Sequence, residues 1–203
     1  GKTMKNIFIS LLIVLGLSAC GDKPTLRIGL IGELTGRSAD IAESARNGAL
    51  LAIEQLKETP ALKGRTIEIL VRDTGAAPET ARKAAEELVD AGVEVIIGPT
   101  TSSMVDAIQP VIEKALTPLV SPTASAVKFH GKDDYLFRIN WTTRDNGQHY
   151  ARRYFEKGLK RVSVAVNENN RSFSESWLNE FRTAYEAIGG IVLTSSFFNS
   201  NSE

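Results

Sequence analysis

Apolar positions along the chain switch between two periods. Thr25–Ile31 reads as an apolar strand, followed by a loop around residues 32–40. Ile41, Ala45, Gly48, Ala49, Ala52, Ile53 and Leu56 then recur at spacings of three and four, which predicts a helix with one apolar face. Thr66–Val71 alternates and is rich in β-branched residues, so it reads as a second strand. Pro78 opens a helix that runs through Val89, and Gly92 closes it. Val93–Ile97 is a short buried strand, Thr101-Ser102-Ser103 starts a third helix that Pro110 is expected to kink, and Leu119-Val120 and Tyr135–Ile139 are strands.

The pattern resumes after a polar stretch at Trp141–Asn146. Arg144–Lys157 reads as a helix, Val162–Val166 as a strand, Ser174–Ile188 as a helix and Ile191–Phe197 as a strand. Trp177, Phe181, Tyr185 and Ile188 form one stripe on the last helix. Strands alternating with helices over short loops predict an α/β fold, a parallel sheet with helices on both faces. The second run holds only two strands and two helices, fewer than a complete α/β domain needs.

The start of the chain follows another pattern. Lys2 and Lys5 precede an apolar run from Ile7 to Leu17, and small residues follow. That order is the mark of an export signal. The run falls short of the roughly 20 residues of a membrane-spanning helix. It ends at Leu17-Ser18-Ala19-Cys20, which resembles the lipobox of bacterial lipoproteins, where the cysteine is lipidated and becomes the new N-terminus. The alternatives are a general secretory signal with a chance cysteine, or a buried N-terminal helix. The lipobox reading makes 1–19 the signal and 20–25 a lipidated tether. The mature protein is then exported and held at a bacterial membrane, in the periplasm or at the cell surface.

Composition narrows the function. The 203 residues carry 24 basic and 24 acidic side chains, so no net charge draws the chain to nucleic acid. Hydrophobic residues make up 42%, an ordinary globular share. A single cysteine excludes an internal disulfide and any multi-cysteine metal site, and His130 and His149 lack a neighbouring carboxylate–serine pattern. Gly29-Leu30-Ile31-Gly32 departs from the dinucleotide fingerprint, and no phosphate-loop lysine follows a glycine-rich turn. Neither a metal, a cofactor nor a catalytic acid–base pair is expected.

Parallel sheets bind ligands outside the carboxyl ends of their strands. Gly98-Pro99-Thr100-Thr101-Ser102-Ser103 leaves a strand and enters a helix there, offering N–H groups and hydroxyls to an anion such as a carboxylate. The plainer use of one hydroxyl is the helix N-cap. Ser121-Pro122-Thr123-Ala124-Ser125 adds hydroxyls and a carbonyl after the next strand, so the two loops together suit a carboxylate and an ammonium. Asp73, ending the second strand, could cap a loop or line the cleft, and the cap is the favoured reading.

Several motifs occur in a telling order: the lipobox, Ile28-Gly29 leading to Leu34-Thr35-Gly36, Arg46-Asn47-Gly48, Ile97-Gly98-Pro99 and Ser121-Pro122. The set resembles the periplasmic-binding-protein type I family, in its branched-chain amino-acid type that serves ABC transporters, over Leu26–Ser202. The resemblance implies doubly wound, mostly parallel sheets in two lobes, 26–141 and 142–203, that close over a small ligand. It implies an ABC permease as partner and no chemistry on the ligand. It also implies a chain that stops inside the second lobe. Ser102 falls where the family holds the ligand carboxylate, with Ser103 beside it, and Ala124 and Ser125 fall where a carbonyl and a hydroxyl bind the ammonium and carboxylate. Phe173 stands where members usually carry a tyrosine. Ile41 replaces a first-lobe aromatic, and Ala42 replaces the glycine beside it. A sensory or regulatory lipoprotein of the same fold is the rival reading.

Overall fold

The computed structural model describes residues 24–36 and 38–199. The export signal and Cys20 lie outside them. Five strands form one parallel sheet: β1 (Leu26–Gly32), β2 (Ile67–Asp73), β3 (Val95–Ile97), β4 (Leu119–Ser121) and β5 (Leu136–Arg138), in the order β2-β1-β3-β4-β5. Helices α1 (Ala39–Leu56), α2 (Pro78–Asp90) and α3 (Ser102–Ala115) link the first four strands. A second, two-stranded parallel sheet pairs β6 (Arg161–Asn167) with β7 (Ile191–Phe198). Helix α4 (Thr143–Glu156) leads into it, and α5 (Arg171–Ala187) connects its strands.

The faces of the larger sheet are set by parity. Gly29 faces α2, since a Cβ there would touch Leu88, and Gly32, three residues on, faces Ala42 of α1. The α2–α3 face carries the main core, where Leu88, Ile96, Val105, Ile108, Ile112 and Leu119 are fully buried. On the other face the register aligns Val71, Leu30, Ile97, Val120 and Phe137 across the sheet. Val71 and Phe137, at the two ends of that row, are exposed. Helix α1 as a whole is thinly covered too, and Ile41 and Leu56 of its expected stripe are exposed. Ala42 is the one buried residue of the helix, and Leu50 and Leu51 face solvent as well.

Local signals set the element ends. Pro78 stands at the start of α2, where its missing N–H costs nothing. The stretch expected as a junction, Trp141–Asn146, holds a capping box: Thr142 Oγ1 accepts the Asp145 N–H, and Asp145 Oδ2 accepts the Thr142 N–H. The Asp145 carboxyl is lowered accordingly, first by the Thr142 hydroxyl. Pro110 sits inside α3 without ending it. Helix α5 starts three residues before the expected Ser174, and its stripe stops short, because Ile188 lies past the helix and is exposed.

Candidate functional site

The strand order reverses between β1 and β3, and a ligand crevice is expected beyond the carboxyl ends of strands at such a point. A cavity of about 380 Å³ lies there. From the larger sheet its wall takes Glu33 after β1, Ala76 after β2, Thr100 and Thr101 after β3, and Thr123 after β4. From the smaller sheet it takes Asn167, Asn169 and Asn170 at the end of β6, and Phe173 and Ser174 from the first turn of α5. Ile41 of α1 and Met104 of α3 add apolar surface.

Hydrogen bonds across the loops hold this wall. Asp73 Oδ1 accepts the N–H groups of Leu34 and Gly75, both at 2.9 Å, and Oδ2 accepts the Thr35 hydroxyl. The cap reading of Asp73 therefore holds. Burial raises this carboxyl, but the hydroxyl and N–H donors outweigh it and leave it below its ordinary value. Ser121 Oγ donates to the Pro99 carbonyl at 2.6 Å, and Thr123 Oγ1 donates to the Thr100 carbonyl. The β3–α3 turn needs glycine. Gly98 has φ of 98°, and a Cβ there would stand 1.9 Å from the Ile31 carbonyl oxygen.

Of the expected site residues, Phe173 lines the cavity, and Ser102, Ser103, Ala124 and Ser125 stand outside its wall. Ser102 is 1% exposed, and its Oγ accepts the N–H groups of Ser125 and Ala126, each at 3.2 Å. It ties the two hydroxyl-rich loops together. The Ser125 carbonyl accepts the Thr143 N–H at 2.8 Å and so anchors the start of α4. Ala124 is buried, its N–H on Ser121 Oγ. None of these hydroxyls caps α3, because Thr101 at the N-cap position makes no side-chain cap bond.

Ser103 joins the two halves instead. Its N–H donates to Asn170 Oδ1 at 3.1 Å, and its Oγ accepts the Ser172 N–H at 3.1 Å. The Asp106 carboxylate accepts both the Ser172 hydroxyl and the Lys128 ammonium beside them. The sequence marks the loops that carry Thr100, Thr101 and Thr123 without singling those residues out, and it leaves Glu33 and the asparagines unmarked as wall residues. Each sits within a few positions of a motif already marked, at the end of a strand, and that position was the signal.

A family model described as periplasmic binding protein matches residues 25–203. The chain belongs to that family. Among its relatives, the Leu/Ile/Val-binding protein BraC3 of Rhizobium johnstonii is 26% identical over 82% of the chain and 45% of its own length. LivJ of Streptococcus pneumoniae, a branched-chain amino-acid transporter substrate-binding protein solved with isoleucine, is 25% identical with a TM-score of 0.78, over 88% of this chain and 51% of its own. A solute-binding protein of an ABC transporter from Rhodopseudomonas palustris, solved with 3,4-dihydroxybenzoic acid, shares the fold at 23% identity and a TM-score of 0.77, over 86% of this chain and 47% of its own. This binding protein is thus of type I and of the branched-chain amino-acid family, and the chain spans about half the length of the relatives it matches. Members of the family are extracytoplasmic solute-binding proteins.

Proposed function

We propose that the chain is the solute-binding component of an ABC transporter, capturing an amino acid of the branched-chain type or a similar small polar solute and delivering it to a membrane permease. One observation carries this reading: the cavity at the reversal point of the sheet takes its wall from both halves of the chain. A solute there touches residues 26–141 and 142–203 together, so it favours the closed arrangement by its differential contacts. The volume is at the lower end for small-molecule pockets, which suits a solute of amino-acid size. Ile41, Met104 and Phe173 offer an apolar side chain a surface, and the threonine and asparagine groups offer hydrogen bonds to its polar end. Ser102, Ser103, Ala124 and Ser125 serve by holding the wall and the two halves in register. Cys20 is the lipid anchor, and the solute leaves chemically unchanged.

Isothermal titration of the intact chain with leucine, isoleucine and valine tests the solute, and uptake of labelled leucine by a strain lacking the gene tests transport. Saturable binding with a contraction in solution scattering, and lost uptake, are the expected results. Absence of binding to every amino acid removes the reading. The anchor is tested separately: Cys20→Ala should move the protein from the membrane fraction to the soluble one.

A further inference from the structure

Among the described residues, the cavity wall carries a single formal charge, and it is negative. The rest of its polar surface, among those same residues, is hydroxyls of serine and threonine and carboxamides of asparagine. Glu33 is 9% exposed. Its Oε1 accepts one hydrogen bond, from the Ser38 N–H at 3.3 Å, the long end of the range. It forms no ion pair among the described residues. The loop also closes tightly over it, since a Cβ on Gly36 would stand 2.6 Å from Oε1. A carboxylate at the cavity wall with so few hydrogen-bond donors and no ion-pair partner among the described residues attracts a cation brought into that cavity.

Resting on the solute-site reading above, we infer that Glu33 is the cation-recognising residue of the cavity, so that the solute carries an ammonium group set against it. An acid without an ammonium places a second negative charge beside a buried one and is rejected by like-charge repulsion. A bare metal ion is a poor fit. Calcium wants six to eight oxygen ligands and magnesium a near-ideal octahedron of them, and the described residues hold no cluster of three acidic, histidine or cysteine side chains. The apolar contribution of Ile41, Met104 and Phe173 points the same way, toward an organic amine with a hydrocarbon part.

The experiment compares matched pairs on the intact chain by titration calorimetry: leucine against 4-methylpentanoate, and phenylalanine against 3-phenylpropanoate, with 4-hydroxybenzoate beside them. The wild type is expected to bind at least one amino acid about tenfold or more tightly than its desamino partner. Glu33→Gln keeps the shape and an acceptor for Ser38 but loses the charge, so that preference should collapse with the melting temperature held. Glu33→Asp, which keeps a shorter carboxylate, should retain part of it, and it serves if the glutamine variant fails to fold. Equal or tighter binding of the desamino acids or of 4-hydroxybenzoate by the wild type overturns the role of Glu33 and leaves the solute site standing. Unchanged amino-acid preference in the folded glutamine variant does the same. No binding by any of the five compounds overturns the solute site and this inference with it.

Discussion

The two sheets bury their apolar surface by different means. The five-stranded sheet uses aliphatic layers, in which Leu88 of α2 and Val105, Ile108 and Ile112 of α3 fit against Ile96 and Leu119. The two-stranded sheet depends on a column of rings along α5. Trp177 stacks on Phe181 with centroids 4.8 Å apart, and Phe181 stacks on Tyr185 at 5.0 Å. Spacing of four places these rings on one face of the helix. Tyr154 and Phe155 of α4 meet the column edge-on, and Gly147 lets α4 approach so closely that a Cβ there would be 2.8 Å from the Phe181 nitrogen. The column fastens α4 to α5, and it leaves Ile191, Leu193, Phe197 and Phe198 of β7 exposed. The cavity wall thus joins a broadly buttressed frame to a half whose stability is concentrated in a few rings.

Phe181→Ala is the sharpest way to break that contrast. It removes the middle ring, 1% exposed, and should cost about 3–5 kcal/mol. Because the first core shares no buried residue with the second, the loss should fall on residues 142–199. Hydrogen exchange is expected to show amides of β6 and β7 losing protection while those of β1 and β3 keep theirs. Equal loss in both sheets would mean that the bonds through Ser103, Asn170 and Ser172 make one cooperative unit of the chain.

The same contrast shows what the sequence could reveal. Elements defined by their own periodicity, such as β1, α2 and the Phe181–Tyr185 part of the α5 stripe, were legible because the physical cause lies within a dozen residues. A site beyond the carboxyl ends of the strands followed from strand–helix alternation, whereas the reversal point between β1 and β3 needed the strand order. The use made of Ser102 and Ser103 did not follow, because their partners come from other elements: Ser103 meets Asn170 at a separation of 67 residues. A hydroxyl that could cap its own helix, face a solute or bridge two loops looks the same in one dimension. The start of α5 was hidden for a related reason. Asn170 sits at its N-cap position, but the side chain serves α3 instead. Glu33 was not legible in one dimension, because a lone acidic residue at a strand end is ordinarily solvated, and only the fold shows this one buried.

A smaller effect tests the larger sheet. Asp73 clips the loop carrying Glu33 to the end of β2, and its carboxyl lies below the ordinary 3.8. Its contribution is therefore complete above that value and is lost as pH falls through the lowered one. Asp73→Asn should cost about 1 kcal/mol at neutral pH. It should also flatten the fall in melting temperature as pH drops below about 4 relative to the wild type. Parallel acid curves for the two proteins would place the acid-sensitive group elsewhere.

The smallest change in folded stability belongs to the exposed strand of the smaller sheet. Among the described residues β7 pairs on one side only, with β6, and presents Ile191, Leu193 and Phe197 to solvent. An apolar edge with unpaired N–H and C=O groups is a template for another chain. Leu193 contributes little to the aromatic column, so Leu193→Lys should move the melting temperature by no more than the equivalent of about 0.5 kcal/mol. Charge on such an edge opposes strand-to-strand association. Sedimentation velocity over a range of concentrations should show the wild-type chain self-associating and the lysine variant remaining monomeric. Were the two to sediment alike, the exposed row would be harmless, and the weakness of this half would lie in its ring column alone.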